Sequence, residues 1–297
     1  MFGNMISNMM VKPFQSPLFD SPEAHGLDWE DVEFDASDGV TLRGWLIKGG
    51  TDKVIVQSHF GVQCNRGGWS PKGKGPIKPW KEDIKFLRQA KYLVENGYSV
   101  LMYDLRGHGE SDVGTIPWVS WGPEEAKDVV AAVDYVSARP EFAGASIGLL
   151  SICMGSASTT YAFGLEDSLA ARTNVKALVA VQPLLYSYFV KALGMPGFME
   201  RSGADVSRER LGFDIAEPNF IDDAPKINVP TLVIQNKNDP WTNLEMVQAY
   251  YNALETEKEL RMLSLEKSRF AAYDFLGRLP EEFIGWFDKH LSSEQQP

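Results

Sequence analysis

Two cysteines, Cys64 and Cys153, are too few to staple a chain of 297 residues. Sulfur here serves packing or chemistry, and a reducing, cytoplasmic setting is expected. Basic charge is scarce as well: 29 Lys and Arg stand against 40 Asp and Glu, a formal net charge of −11. Nucleic acid and anionic membrane surfaces both select basic patches, so neither is expected as a partner. No apolar run approaches the length of a membrane span. Residues 1–17 contain Met1, Met5, Met9 and Met10 but no basic start and no continuous apolar stretch, so they are not expected to act as a secretory signal. Internal repeats and low-complexity blocks are absent. Histidine is limited to four residues, His25, His59, His108 and His290, and this shortage bears directly on chemistry.

What is present is an ordinary globular composition, 44 % hydrophobic and 23 % charged, sufficient for a large core. Residues 1–30 read as an N-terminal arm, either loose or packing its methionines on a partner subunit, which makes a homodimer reasonable. Residues 31–36 and 40–47 flank Asp38-Gly39, a hairpin signal. Short apolar strands follow at 54–58, 99–103, 147–151, 175–181, 231–235 and 260–265. Helices are expected at 81–96, at 123–139 with Pro123 at its first position, from Thr242 with Glu245 as a capping box, and at 271–290 with a break at Pro280. A hairpin followed by strand–helix units implies a mostly parallel sheet covered by helices on both faces. Ligands in such sheets sit at the carboxyl ends of the strands, where the search for chemistry is confined. Residues 292–297 read as a tail.

Ser151-Ile152-Cys153-Met154-Gly155 follows the strand at 147–151. A strained strand–nucleophile–helix turn requires small residues two before and two after its centre, and Ser151 and Gly155 supply them. Cys153 then lies at a helix N-terminus, whose partial positive charge favours a thiolate. The competing reading is a small buried cysteine in an ordinary junction.

Asp104-Leu105-Arg106-Gly107-His108-Gly109-Glu110-Ser111, directly after a strand, resembles a strand-end signature of the α/β-hydrolase superfamily. Asp38-Gly39-Val40-Thr41-Leu42-Arg43-Gly44-Trp45 is similar to the opening hairpin of these enzymes, and His59-Phe60-Gly61 occupies the place of their oxyanion loop. Asp239, in Gln235-Asn236-Lys237-Asn238-Asp239-Pro240, matches the position of their acid. The resemblance spans residues 32–291. It implies an eight-stranded, mostly parallel sheet in a domain at 31–291, carrying an inserted helical lid at 183–228. It also implies an oxyanion hole from the backbone N–H groups of Phe60 and Met154, and it calls for no cofactor or metal. A cysteine at the elbow resembles the minority pattern of dienelactone hydrolases and polyhydroxyalkanoate synthases. His59 is assigned to loop structure and substrate contact rather than to proton transfer, and His108 to structure.

The departure from the family lies after the last strand. Leu265-Glu266-Lys267-Ser268-Arg269-Phe270-Ala271-Ala272-Tyr273 has no histidine, and the aromatic helix start places Arg269 where the base should stand. Arginine stays protonated and cannot accept the proton. Arg269 is expected to pair with Asp239 and either to bind an anionic group or favour thiolate, or to form only a structural ion pair. Placement of its guanidinium beyond about 8 Å from Cys153, a screening length in physiological salt, would exclude an activating role.

Residues 183–228 are longer than a plain connection and carry Tyr186, Phe189 and other apolar residues suited to a medium-sized apolar substrate. Trp118, Trp121 and Trp241 lie in strand-end loops and are expected to join that lining. Lys72, Lys74, Lys78 and Lys81 make the loop after Trp69 basic, a solvated loop or a flap. Cys64 is expected to pack. Three functions fit these residues: a Cys153-dependent esterase, thioesterase or acyltransferase acting on a small-molecule or carrier-bound acyl group; a non-hydrolytic lyase or cyclase; and a binding pseudoenzyme.

Overall fold

The computed structural model describes residues 2–61, 63–76 and 78–292. The chain opens with helix α1 (Phe2–Val11), followed by β1 (Trp29–Asp35) and β2 (Thr41–Ile47). These two strands pair antiparallel from Trp29 opposite Ile47 to Asp35 opposite Thr41, the hairpin expected around Asp38-Gly39. Strand β3 (Lys53–Ser58) leads into a loop that holds a two-stranded ribbon, β4 (Gly68–Trp69) with β5 (Ile84–Lys85). Then follow α2 (Leu87–Glu95), β6 (Ser99–Tyr103), α3 (Ala126–Ala138), β7 (Ser146–Ile152), α4 (Met154–Gly164) and β8 (Val175–Val181). The chain continues through α5 (Tyr186–Ala192), α6 (Gly197–Leu211), β9 (Thr231–Asn236), α7 (Leu244–Ala253), β10 (Lys258–Leu263), α8 (Arg269–Arg278) and α9 (Glu281–Leu291).

Eight strands form one sheet in the order β1-β2-β6-β3-β7-β8-β9-β10, parallel from β6 to β10. β6, β7 and β8 are nearly continuous apolar runs because helices cover both of their faces. α3, α4 and α7 bury their apolar sides in one core, and α2, α8 and α9 in the other. The sheet therefore separates two cores, and the carboxyl ends of β3, β7, β8 and β9 converge on one edge.

Several local readings shift for identifiable reasons. The helix expected from residue 81 begins at Leu87, because Ile84–Lys85 pairs with Gly68–Trp69. The one expected from Pro123 begins at Ala126, because the Glu125 carboxylate accepts from the N–H groups of Ser120 and Gly122 and holds that stretch as a turn. α7 is capped by Asn243, not Thr242: Asn243 Oδ1 accepts from Glu245 N, while the Thr242 hydroxyl accepts from Arg269. The closing helix breaks at Pro280 as expected.

The largest correction concerns the arm. Residues 2–11, expected as a loose arm or as a contact for another subunit, form α1 and pack on α6 of the same chain. Gly3, Ile6, Ser7 and Met10 make the buried face. A Cβ at Gly3 would fall 2.5 Å from the Ser202 carbonyl, and one at Gly203 would fall 2.4 Å from Ile6. Small residues thus let the two helices approach closely, and Ser207 and Arg210 donate hydrogen bonds to the Ser7 hydroxyl at 2.9 and 2.8 Å. Trp121 Nε1 donates to the Met10 carbonyl at 2.8 Å, tying α1 to a loop at the strand ends. No helix among the described residues is long and apolar enough to cross a membrane.

Candidate active site

β7 ends at Ile152 and α4 begins at Met154, leaving Cys153 between them at φ 55° and ψ −107°. That backbone conformation costs a non-glycine residue about 1–3 kcal/mol and persists only where its surroundings over-determine it. They do so here. Cys153 N donates to Val181 O at 2.8 Å, and Gly155 N donates to His59 O at 3.1 Å. A Cβ at Gly155 would lie 2.4 Å from the Ser58 carbonyl, so α4 closes on the β3 loop only because that position is glycine. The Met154 N–H has no backbone hydrogen-bond partner among the described residues, and the Phe60 N–H faces the buried Cys64 sulfur. Met154 heads α4, whose first N–H groups are necessarily unbonded and carry the helix's partial positive charge.

The other half of the site is assembled from β9 and α8. Asp239 follows β9, and its Oδ1 accepts from Trp241 N at 2.9 Å. Arg269 opens α8, where the Ser268 hydroxyl caps the helix by accepting from Phe270 N. Four of the five guanidinium N–H groups are used. Nη1 donates to Asp239 Oδ2 and to Thr242 Oγ1, the latter at 2.7 Å. Nη2 donates to the Gln182 carbonyl, and Nε donates to the Tyr273 hydroxyl at 2.6 Å. Both partners of the Asp239–Arg269 ion pair are buried. Burial opposes the charge on Arg269, but the neighbouring Cys153, Tyr273 and Asp239 outweigh it and hold its pKa above the ordinary value.

Cys153, Arg269 and Tyr273 line one cavity, and the thiol lies close enough to the other two to act on their ionisation. The separation that would exclude a role for Arg269 is therefore not found. Burial first, and Cys153 next to it, push the Tyr273 phenol well above its usual pKa, although Arg269 pulls the other way. The ring is clamped by Phe60, stacked on it at 4.2 Å between centroids.

The cavity is almost wholly apolar, with Trp69, Trp121, Leu184, Phe189, Trp241 and Phe270 as its walls. Phe189 and Trp241 thus line it as the sequence suggested. Tyr186 stands one layer back, edge-on to Trp121 at 5.2 Å. Trp118 is not among the lining residues and instead carries the Arg210 guanidinium over its ring at 4.1 Å. His59 is also corrected: it is fully buried with both ring nitrogens committed. Leu105 N donates to Nε2 at 3.1 Å, so Nδ1 carries the proton and donates to Phe60 O at 2.7 Å. Burial lowers its pKa to about 3, leaving a neutral strut beneath the Phe60 loop rather than a substrate contact. Cys64 is buried and donates to the Gly68 carbonyl at 3.1 Å; both cysteines are free.

Tyr273 and Gln182 escaped the sequence reading. Tyr273 lies four residues after Arg269, one helical turn, and this spacing places both side chains on one face. Trp121 adopts φ 63°, and Gln182, whose carbonyl holds Arg269, adopts φ 52°. With Cys153, they account for three of the four non-glycine residues with positive φ among the described residues. Backbone strain is concentrated around this cavity.

Comparison with known proteins agrees with this architecture. Residues 84–200 match the family model described as serine aminopeptidase, S33. A polyketide transferase of Penicillium sp. is 30 % identical over 166 residues, 55 % of this chain and 48 % of that protein. A thiohydrolase of Aspergillus aculeatus is 27 % identical over 184 residues, 61 % of this chain and 48 % of that protein. The matched stretch thus spans about half the length of these curated relatives. An esterase of Pyrococcus furiosus superposes with a TM-score of 0.70 at 22 % identity, covering 95 % of this chain and 99 % of that one. Sheet order, strand-end site and these likenesses agree: the chain is built on the α/β-hydrolase fold.

Proposed function

We propose that this protein is an acyl-transfer enzyme of the α/β-hydrolase fold that works through Cys153 on the ester or thioester of a medium-sized apolar acyl group. The observation that carries the reading is the strained Cys153 turn opening onto an apolar cavity that Phe60 and Met154 also line, with the Met154 N–H unbonded at the head of α4. The sulfur attacks the acyl carbon and the carbonyl oxygen takes up negative charge. Preorganised N–H donors stabilise that charge without reorganising at the moment of reaction. As the C–S bond forms, the bond to the leaving thiol or alcohol breaks, and the thiol proton departs with that group. Attack by an acceptor then regenerates the thiol.

Arg269 and Asp239 hold a fixed cation where a hydrolase of this type places its imidazole. A cation cannot activate water as a base, so the site favours an acceptor that is already a good nucleophile. The activities printed for the two curated relatives, transfer of a polyketide and thiohydrolysis, support acyl and thioester chemistry as the class. A carrier-bound acyl thioester is a fitting donor, because the cavity accepts an apolar chain while the carrier remains outside.

The test is intact-mass spectrometry after incubation with an activated ester. An acyl increment on the wild-type chain that is absent from Cys153→Ala is the expected result. Unchanged activity in Cys153→Ala would instead place the chemistry outside covalent catalysis. A second reading, a lyase, cyclase or binding protein using the same pocket, draws on Arg269 at the base position. Saturable ligand binding without any adduct would favour it.

A further inference from the structure

Resting on the covalent reading above, we infer that the Tyr273 hydroxyl is the proton-relay group of this site and takes over the task that imidazole performs elsewhere in the fold. The geometry leaves little else for it. Arg269 Nε donates to the phenol oxygen at 2.6 Å, which occupies one of its acceptor positions and aligns the hydroxyl. Phe60 stacks on the ring at 4.2 Å and lines the same cavity, so Tyr273 is fixed relative to both the sulfur and the reacting carbonyl. Cys153, Arg269 and Tyr273 line the same cavity, while His59 has both nitrogens committed elsewhere. Asp239 faces the far side of the guanidinium, through Nη1, and keeps Arg269 in place.

The relay balances without a group that titrates near neutrality. As Cys153 Sγ bonds to the acyl carbon, its proton passes to the phenol oxygen. The phenolic proton passes in the same step to the leaving thiol or alcohol, whose bond to the acyl carbon breaks. Tyr273 begins and ends neutral. An acceptor thiol, alcohol or amine then runs the sequence in reverse: its proton goes to the phenol oxygen, and the phenolic proton returns to sulfur. Burial of the phenol accords with this, because a group held against ionisation hands a proton through and does not give one up to solvent. Arg269 is a positioning residue in this scheme, and Tyr273 a catalytic one.

The experiment compares two esters of one acyl group, a p-nitrophenyl ester and a primary-alkyl ester, in the wild type and in Tyr273→Phe. A nitrophenolate leaves without a proton, whereas an alkoxide does not. Tyr273→Phe keeps the ring and its stacking, and a thermal melt alongside checks that the fold is intact. The expected result is a loss of about 100-fold in kcat/KM on the alkyl ester. On the p-nitrophenyl ester, where the phenol is needed only to take the thiol proton, the loss is smaller by at least about tenfold and Cys153 is still acylated. Equal losses on both esters, or no loss on the alkyl ester, overturn the relay. Failure of p-nitrophenyl acylation in the wild type overturns the covalent reading itself and is seen separately. Arg269→Lys, which keeps the charge but loses the aligned Nε donor, is expected to reproduce the alkyl-selective loss in milder form.

Discussion

The two halves of the site are built on opposite terms. The half made by β3, β7 and α4 carries what a strained strand–helix turn demands: Ser151 two residues before Cys153, Gly155 two after it where a Cβ would strike Ser58, and an unbonded N–H at Met154. The half made by β9 and α8 sets Asp239 after a strand end and pairs it with a permanent cation, Arg269, tied by four hydrogen bonds. One half is held by backbone geometry and the other by charge. The first will tolerate changes of side-chain chemistry better than changes of size, and the second the reverse.

The largest effect expected from this contrast is on stability. Asp239→Ala leaves the Arg269 cation buried without its carboxylate, and breaking such a pair costs about 3–5 kcal/mol. Urea denaturation will show it as a lowered midpoint at unchanged slope. The double variant Asp239→Ala with Arg269→Met removes both charges and should recover most of the loss. If the single variant alone is as stable as the wild type, the second half is not held by charge.

Next in size is a change of reaction. Arg269→His restores an imidazole where the fold normally carries one, with Asp239 to orient it. Because a positioned general base is typically worth about 10²–10⁴-fold, even an imperfectly placed ring should shorten the lifetime of acyl-Cys153 in water by about 10–100-fold. Release of free acid, followed by mass spectrometry of the decaying adduct, measures it. An unchanged lifetime means that exclusion of water, and not the missing base, protects the acyl group.

A third outcome separates a strut from a base. His59 is neutral when folded, with a pKa lowered to about 3, whereas the unfolded side chain titrates near its ordinary value of 6.5. Between these values the unfolded chain binds the extra proton, so this residue contributes stability that is present above about pH 6.5 and lost as the pH falls. From pH 7 to pH 5 its share is about 2 kcal/mol. His59→Gln can accept from Leu105 N and donate to Phe60 O without titrating. The wild type should therefore lose about 2 kcal/mol more than this variant over that interval. Parallel pH dependences of the two would show that His59 exchanges protons in the folded state, as a base does.

Much of this was legible in the residue order, and the exceptions share a cause. The strands announced themselves as apolar runs between turn signals; Cys153 and Asp239 follow strand ends, where position marks a candidate, and Arg269 was reached from the family resemblance at the start of α8. Tyr273 does not lie at a strand end; its role depends on a helical turn that brings it back to Arg269, visible only as the spacing of four. The arm was hidden differently. Its buried face is Gly3, Ile6, Ser7 and Met10, a helical pattern whose small and polar members carry no apolar signal until α6 offers Gly203 and Ser207 opposite. Trp118 and Trp121, three residues apart in one loop, could not be told apart by composition. At Trp121, where φ is positive, the ring lies tilted against Phe189 at 5.1 Å and joins the cavity wall.

That last distinction yields the smallest effect and a direct map of the cavity. Phe189 lines the wall opposite Phe270 with Trp241 edge-on at 5.2 Å, while Trp118 carries Arg210 outside it. Phe189→Ala empties part of the wall, and an added methylene in an apolar pocket is worth about 1–3 kcal/mol of discrimination. Preference among a series of p-nitrophenyl acyl esters should shift toward longer chains by about tenfold in kcat/KM ratio. Trp118→Ala should lower thermal stability slightly, through the lost Arg210 contact, and leave the chain-length profile where it was. If both variants shift the profile alike, α5 and the loop at Trp118 move as one lid and the acyl group extends beyond the cavity described. If neither does, the acyl chain runs along another wall, toward Trp69 and Phe270.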